Sequence, residues 1–222
     1  MKLIWSPETA SKAYIETVKT CKKFKESGVA ELLSAMAAGW DAKLIVEAWS
    51  RGGPMDTSVG LAVAARHTGG RHVCIVPEER SRLEYVKAMQ KVGSLPLPEV
   101  LVGDSEVAMA GLAGVDFLAV DCKRRDFARV LRAAKVSNRG AVFACKNAWQ
   151  RNVSGFRWQW AVERGTRVVR SVLLPVGKGL DIAHIGSSCG TAGSEKCRSR
   201  WIKHIDQRSG EEHVFRAVNF KI

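Results

Sequence analysis

The chain has no apolar run near the roughly 18 residues that a bilayer-spanning helix requires, which argues against a helical membrane protein. Its start, MKLIWSPETASK, lacks the apolar core of a secretory leader, because Ser6-Pro7-Glu8 interrupts it. Cysteines stand at 21, 74, 122, 145, 189 and 197, with no CxxC pair and no metal-ligand spacing. Those at 74, 122 and 145 lie in apolar strand-like runs, where free cysteine acts as a small hydrophobe. A reducing compartment, cytosol or nucleus, is therefore expected in place of a disulfide-built secreted scaffold. His67, His184, His204 and His213 have no cysteine or carboxylate at metal spacing and read as packing or surface. Neither the G-x-G-x-x-G nor the P-loop pattern occurs, and there is no internal repeat or low-complexity tract.

Acidic residues are few: 22 against 35 lysines and arginines, a formal charge of +13. That balance favours anionic partners, whether nucleic acid or phosphorylated and CoA-linked small molecules. The basic residues are spread along the chain and form no single arm, so nucleic acid is the weaker of these partners. The stretch RNVSGFRWQW (151–160) interleaves arginine with Phe156, Trp158 and Trp160, which could stack on a base. Lid or core packing explains the same aromatics.

The 222 residues, 46% hydrophobic and 26% charged, suit one globular domain over 1–222. Ser6 as cap and Pro7 at the first turn predict a helix to about Lys25, and Val29, Leu32, Leu33 and Met36 recur at helical spacing up to Gly39. After these helices (1–40), residues 41–186 change texture. Short apolar runs at 44–49, 72–76, 99–103, 115–121 and 141–147 alternate with helical segments of about a dozen residues, the pattern of βαβ units in a doubly wound α/β sheet. Runs at 167–177 and 179–186 follow, linked through Gly177-Lys178-Gly179 as an antiparallel hairpin. Residues 187–222 read as a flexible loop and C-terminal extension, with a terminal hairpin around Ser209-Gly210.

Ligands of such sheets bind beyond the carboxyl ends of the strands. This singles out Glu47 to Ser58, Val76 to Glu79, Gly103 to Ser105, Asp121 to Arg125 and Lys146 to Trp149. Gly52 and Gly53 permit close backbone approach ahead of a helix.

Three segments then carry a family resemblance: VGDS (102–105), VDFLAVDCKRRDFARVL (115–131) and LPVGKGLDIA (174–183). They resemble V-D-x-x-F-V-D-A-D-K and L-P-x-G-D-G-L of the class I S-adenosylmethionine-dependent methyltransferases, nearest to the caffeoyl-CoA and catechol O-methyltransferase type. The whole chain also resembles a plant family catalogued as a methyltransferase-like domain of unknown function. The resemblance implies a Rossmann-like fold, a mostly parallel sheet with a C-terminal antiparallel hairpin, and S-adenosylmethionine as cofactor. It places Glu47, Gly52, Gly53, Ser58, Gly103, Asp104, Ser105 and Asp121 at the cofactor. Val76 replaces the acid that holds the ribose, leaving Glu78 or Glu79 as a substitute through a changed turn. Asp121, Lys146 and Asn147 fall at the reacting centre. Metal-dependent relatives have Asp-Asn where this chain has Lys146-Asn147, and an ammonium cannot replace an oxygen ligand of a hard cation. The expectation is that no divalent metal binds, with Lys146 supplying positive charge or acting as a base toward a small acceptor, anionic or neutral. A structural ion pair is the competing account of Lys146. A homodimer is compatible with this reading. So is a non-catalytic descendant that senses a ligand or binds a partner, to which Val76, Trp49 and Lys146 point.

Overall fold

Helix α1 (Pro7–Thr20) begins where its capping chemistry puts it, with Pro7 in the first turn and the Ser6 hydroxyl accepting from the Thr9 N–H. Helix α2 (Val29–Gly39) packs against α1 and is followed by strand β1 (Leu44–Ala48), all five residues of which are buried. The computed structural model describes residues 5–22, 28–93, 96–151, 155–164, 166–186, 200–205 and 212–217. The chain divides into two compact units, 4–188 and 1–3 with 189–222.

In the larger unit the chain continues through α3 (Asp56–Thr68), β2 (Arg71–Val76), α4 (Glu79–Val92), β3 (Glu99–Val102) and α5 (Ser105–Ala110). Then come β4 (Ala113–Val115), β5 (Phe117–Asp121), α6 (Phe127–Ala133), β6 (Lys135–Val136) and β7 (Ala141–Lys146). A short helix α7 (Trp158–Ala161) precedes β8 (Val168–Leu174) and β9 (Leu180–Ile185). Seven strands form one sheet in the order β3-β2-β1-β5-β7-β9-β8. The first five run parallel, and β9 lies antiparallel to both β7 and β8. The α/β reading and the closing hairpin are thus both found. Gly177 and Gly179, at φ 58° and 85°, take the left-handed backbone of the hairpin's turn.

Alternation along the strands sends side chains to two apolar layers. Val46, Val73, Leu118, Val120, Phe143 and Cys145 pack with α6 and α7 on one face. Ile45, Phe117, Ala119, Val142 and Ala144 pack with α2 and α3 on the other. Two covered faces explain the unbroken apolar runs. Gly60 allows α3 to meet α2 closely, since a Cβ there would stand 2.6 Å from the Ala30 carbonyl oxygen.

The two-stranded parallel pair β4–β6 was not anticipated; strands of two or three residues are too short for periodicity to reveal. In the smaller unit, β10 (Arg200–Ile205) and β11 (Glu212–Ala217) pair antiparallel, with His204 opposite His213. The turn expected at Ser209-Gly210, the loop at 187–199 and the end of the first helix at 23–25 lie outside the described residues. Among those described, no helix is long and apolar enough to cross a membrane.

Candidate functional site

The sheet order reverses at β1, with β2 and β3 on one side and β5 and β7 on the other. Open α/β sheets place their ligand crevice at this point. A cleft of about 340 Å³ lies there, lined by Glu47 to Pro54, Ala119, Asp121, Lys123, Arg124 and Lys146. Register explains the convergence: Glu47 pairs with Ala119, and Asp121 with Lys146, so the three strand tips end side by side. Glu47, Asp121 and Lys146 also share the parity that faces α3.

Glu47 is 3% exposed. Its Oε2 accepts from the Ser58 hydroxyl at 2.9 Å and its Oε1 from the Tyr85 hydroxyl at 2.6 Å. His72 Nε2 stands 3.2 Å from Oε1, close enough for an ion pair but off hydrogen-bond alignment. Burial pushes the Glu47 carboxyl up. The His72 ring, the Tyr85 hydroxyl and the Lys146 ammonium outweigh it and hold the pKa below the ordinary 4.5. Burial, then the adjoining carboxylate, raises the Tyr85 hydroxyl well above its usual range, which keeps it a donor.

At the neighbouring tips, Asp121 Oδ1 accepts from the Lys123 N–H at 2.9 Å and Oδ2 from the Asn147 side-chain amide at 2.8 Å. Asn147 adopts a left-handed backbone, φ 55°. Non-glycine residues held there tend to mark functional sites. Lys146 is the register partner of Asp121, yet its Nζ donates to Thr57 Oγ1 at 3.0 Å, over the first turn of α3. The Asp121 carboxylate is thus oriented by neutral donors, with the ammonium displaced toward Glu47.

The remaining sequence candidates divide. Gly52 and Gly53 line the cleft, folded over Trp49 so that a Cβ on Gly53 would lie 3.1 Å from the indole Nε1. That N–H, buried in the cleft wall, has no acceptor among the described residues. Ser58 is fully buried beneath Glu47 and offers the cleft nothing directly. Glu78 caps α4 with its side chain exposed, outside the cleft lining, while Val76 is fully buried. Gly103 closes β3, its N–H donating to the Val76 carbonyl. The Asp104 side chain accepts from the Glu106 and Val107 amides.

Ser105, 3% exposed, accepts from Arg124, which lies in the candidate segment Asp121 to Arg125 but was given no role from the sequence. The Arg124 guanidinium also donates to the Trp49 carbonyl, the Ser50 hydroxyl and both oxygens of Asp126. His72 and Tyr85 were passed over as well. One sits inside an apolar strand, the other at core spacing on a helix, and Arg124 stands in the charge run Lys123-Arg124-Arg125.

Away from the cleft, Cys122 is fully buried, and its sulfur accepts from Arg151 Nε at 3.3 Å. Its cationic neighbour is thus Arg151. A hydrogen bond from Cys145, then Arg151, outweighs burial and lowers the Cys122 pKa. Arg151 and the Trp158 indole also engage Asp181. Trp158 is core, as packing predicts, whereas Trp160 is exposed.

Comparison with solved structures places this sheet among methyltransferases. A methyltransferase from Geobacter sulfurreducens superposes with a TM-score of 0.57 at 21% identity, covering 81% of this chain and 90% of that one. An S-adenosylhomocysteine-bound methyltransferase from Podospora anserina gives 0.55 at 14%, covering 82% and 89%. The O-methyltransferase from Bacillus cereus, in complex with the same product, gives 0.52 at 16%, covering 83% and 93%. The fold is the Rossmann-like methyltransferase fold. No curated protein matches the chain. A family profile, described as "Protein of unknown function (DUF1442)", matches residues 1–217, and the chain belongs to that family.

Proposed function

We propose that the protein is a metal-independent, S-adenosylmethionine-dependent methyltransferase acting on a small acceptor. The observation that carries this reading is the meeting of Glu47, Asp121 and Lys146 in one cleft at the sheet's switch point. Bound there, the cofactor would supply an activated methyl group. The reacting end of the cleft suits that chemistry. Asp121 is immobilised by Asn147 and the Lys123 amide, and the glycine loop leaves backbone accessible. Asp121 keeps its two neutral donors, and among the described residues the buried Trp49 N–H is a donor without an acceptor. Lys146 would hold an acceptor whose oxygen carries or develops negative charge, without a covalent intermediate.

The nucleoside end does not match in this conformation. Val76 cannot accept from ribose hydroxyls, Glu78 points to solvent, and Ser105 is already engaged by Arg124. These three facts favour a second reading, a ligand-sensing descendant without turnover. Calorimetry with S-adenosylhomocysteine separates the two. The enzyme reading expects a dissociation constant below about 1 mM, a binding free energy beyond about −4 kcal/mol. Heats indistinguishable from dilution at millimolar ligand would remove the cofactor and the reading with it.

Metal independence has its own test. Lys146→Asp would set a second carboxylate across from Asp121, an oxygen pair suited to a hard divalent cation. Titration with Mn²⁺ should show binding on the order of a millimolar in the variant and none in the parent. Equal behaviour of the two proteins would mean that Lys146 does not stand in for a metal ligand.

A further inference from the structure

A guanidinium has five N–H donors in a rigid fork. In Arg124 all are engaged, a side chain only 10% exposed. Nε and Nη2 clasp Asp126 Oδ1 and Oδ2 at 2.9 and 2.6 Å. Nη2 also reaches Ser105 Oγ at 2.7 Å. Nη1 donates to the Trp49 carbonyl at 3.1 Å and to Ser50 Oγ at 2.7 Å. Burial would raise the Asp126 carboxyl, but Arg124 outweighs it and keeps the clasp ionised. One side chain thereby ties together the loops that follow β1, β3 and β5, of which the first and the last line the cleft. With no donor left over, Arg124 does not read a ligand in this state.

We propose that Arg124 is an autoinhibitory latch: the cleft admits an adenosine-containing ligand only when the guanidinium leaves Ser105 and the loop after β1. This inference rests on the cofactor reading above for the identity of the ligand, though not for the closure itself. A closed state favoured about ten to one lowers apparent affinity by the same factor, because only the open fraction binds. The Asp126 clasp keeps the side chain on its own loop, so release from Ser105 and Ser50 need not leave the charge unpaired. A ligand carboxylate or phosphate near the loop after β1 could draw it aside.

The test uses the full chain and two variants, Arg124→Ala and Asp126→Asn, with two readouts. Amide hydrogen exchange without ligand should quicken at residues 50–53 and 105–107 in Arg124→Ala, and less in Asp126→Asn. Calorimetry with S-adenosylhomocysteine should show affinity rising about tenfold in Arg124→Ala, with a smaller rise in the second variant. Affinity that is unchanged or weaker in Arg124→Ala overturns the latch, since Arg124 would then shape the site. Unchanged exchange at both loops overturns it as well. If no protein binds the ligand while exchange quickens, the cofactor reading fails and the closure stands. If neither readout responds, both fail.

Discussion

Glu47→Ala should lower the free energy of unfolding by about 3–5 kcal/mol, the usual result of removing one member of a buried charged cluster. Alanine would leave the Tyr85 and Ser58 hydroxyls without their acceptor and the His72 ring without its carboxylate neighbour, at a site where Glu47 is only 3% exposed. With a urea dependence of about 2 kcal/mol per molar, the midpoint should fall by about 1.5–2.5 M. A shift under about 0.5 M would mean that the three partners find other bonds. Glu47→Gln keeps an acceptor and the shape, and should cost less. The pH dependence separates charge from shape. The folded carboxyl titrates below its ordinary 4.5, so the ionised group's contribution is whole above that value and fades as pH falls through the lower folded value. Wild-type stability should therefore drop in acid, and Glu47→Gln should drop less steeply.

At the opposite end of β1, Asp116→Ala should cost about 2–4 kcal/mol, because it strips acceptors from buried donors. Asp116 is 3% exposed, and its Oδ2 accepts from the Lys43 and Leu44 amides at 2.8 and 3.1 Å. Its Oδ1 accepts from Arg139 at 3.2 Å, and its backbone bonds both Leu44 and Val142. The carboxylate thus ties the start of β1 to that of β5, while Glu47 acts where β1 ends. No partner is shared, so the milder pair Glu47→Gln and Asp116→Asn should be additive within about 0.5 kcal/mol in chemical denaturation. A larger coupling would show that β1 transmits strain along its length.

The strands at the centre of the sheet were legible because burial on both faces writes itself as an unbroken apolar run. LIVEA, FLAVD and AVFACK each appear almost residue for residue. Glu47, Asp121 and Lys146 were legible for a related reason: each ends such a run, and parallel strands end together. What holds Glu47 was not legible. His72 and Tyr85 reach it from 25 and 38 residues away, and each looks like ordinary filling in its own element. The role of Arg124, inside the candidate segment Asp121 to Arg125, was hidden by the reverse effect. A KRRD run reads as solvated charge, and only the folded loops bury it. Glu78 was chosen because Val76 left a gap that an acid should fill, but an extended cap residue points outward. Local sequence carries position along a strand, whereas the bonding at its tip depends on loops that arrive from elsewhere.

Because β9 returns against β7, Leu180 lies opposite Lys146 and the bend at 175–179 lies directly beside that strand tip. Its backbone is stitched to the opposite lip by Ala148 and Trp149, whose amides donate to the Gly179 and Lys178 carbonyls. Lengthening a surface bend is thermodynamically cheap. Under the proposed function, a few inserted residues there would remodel the doorway that an acceptor meets while leaving the floor of the chamber untouched, so acceptor preference could change without any alteration of the strand tips beneath.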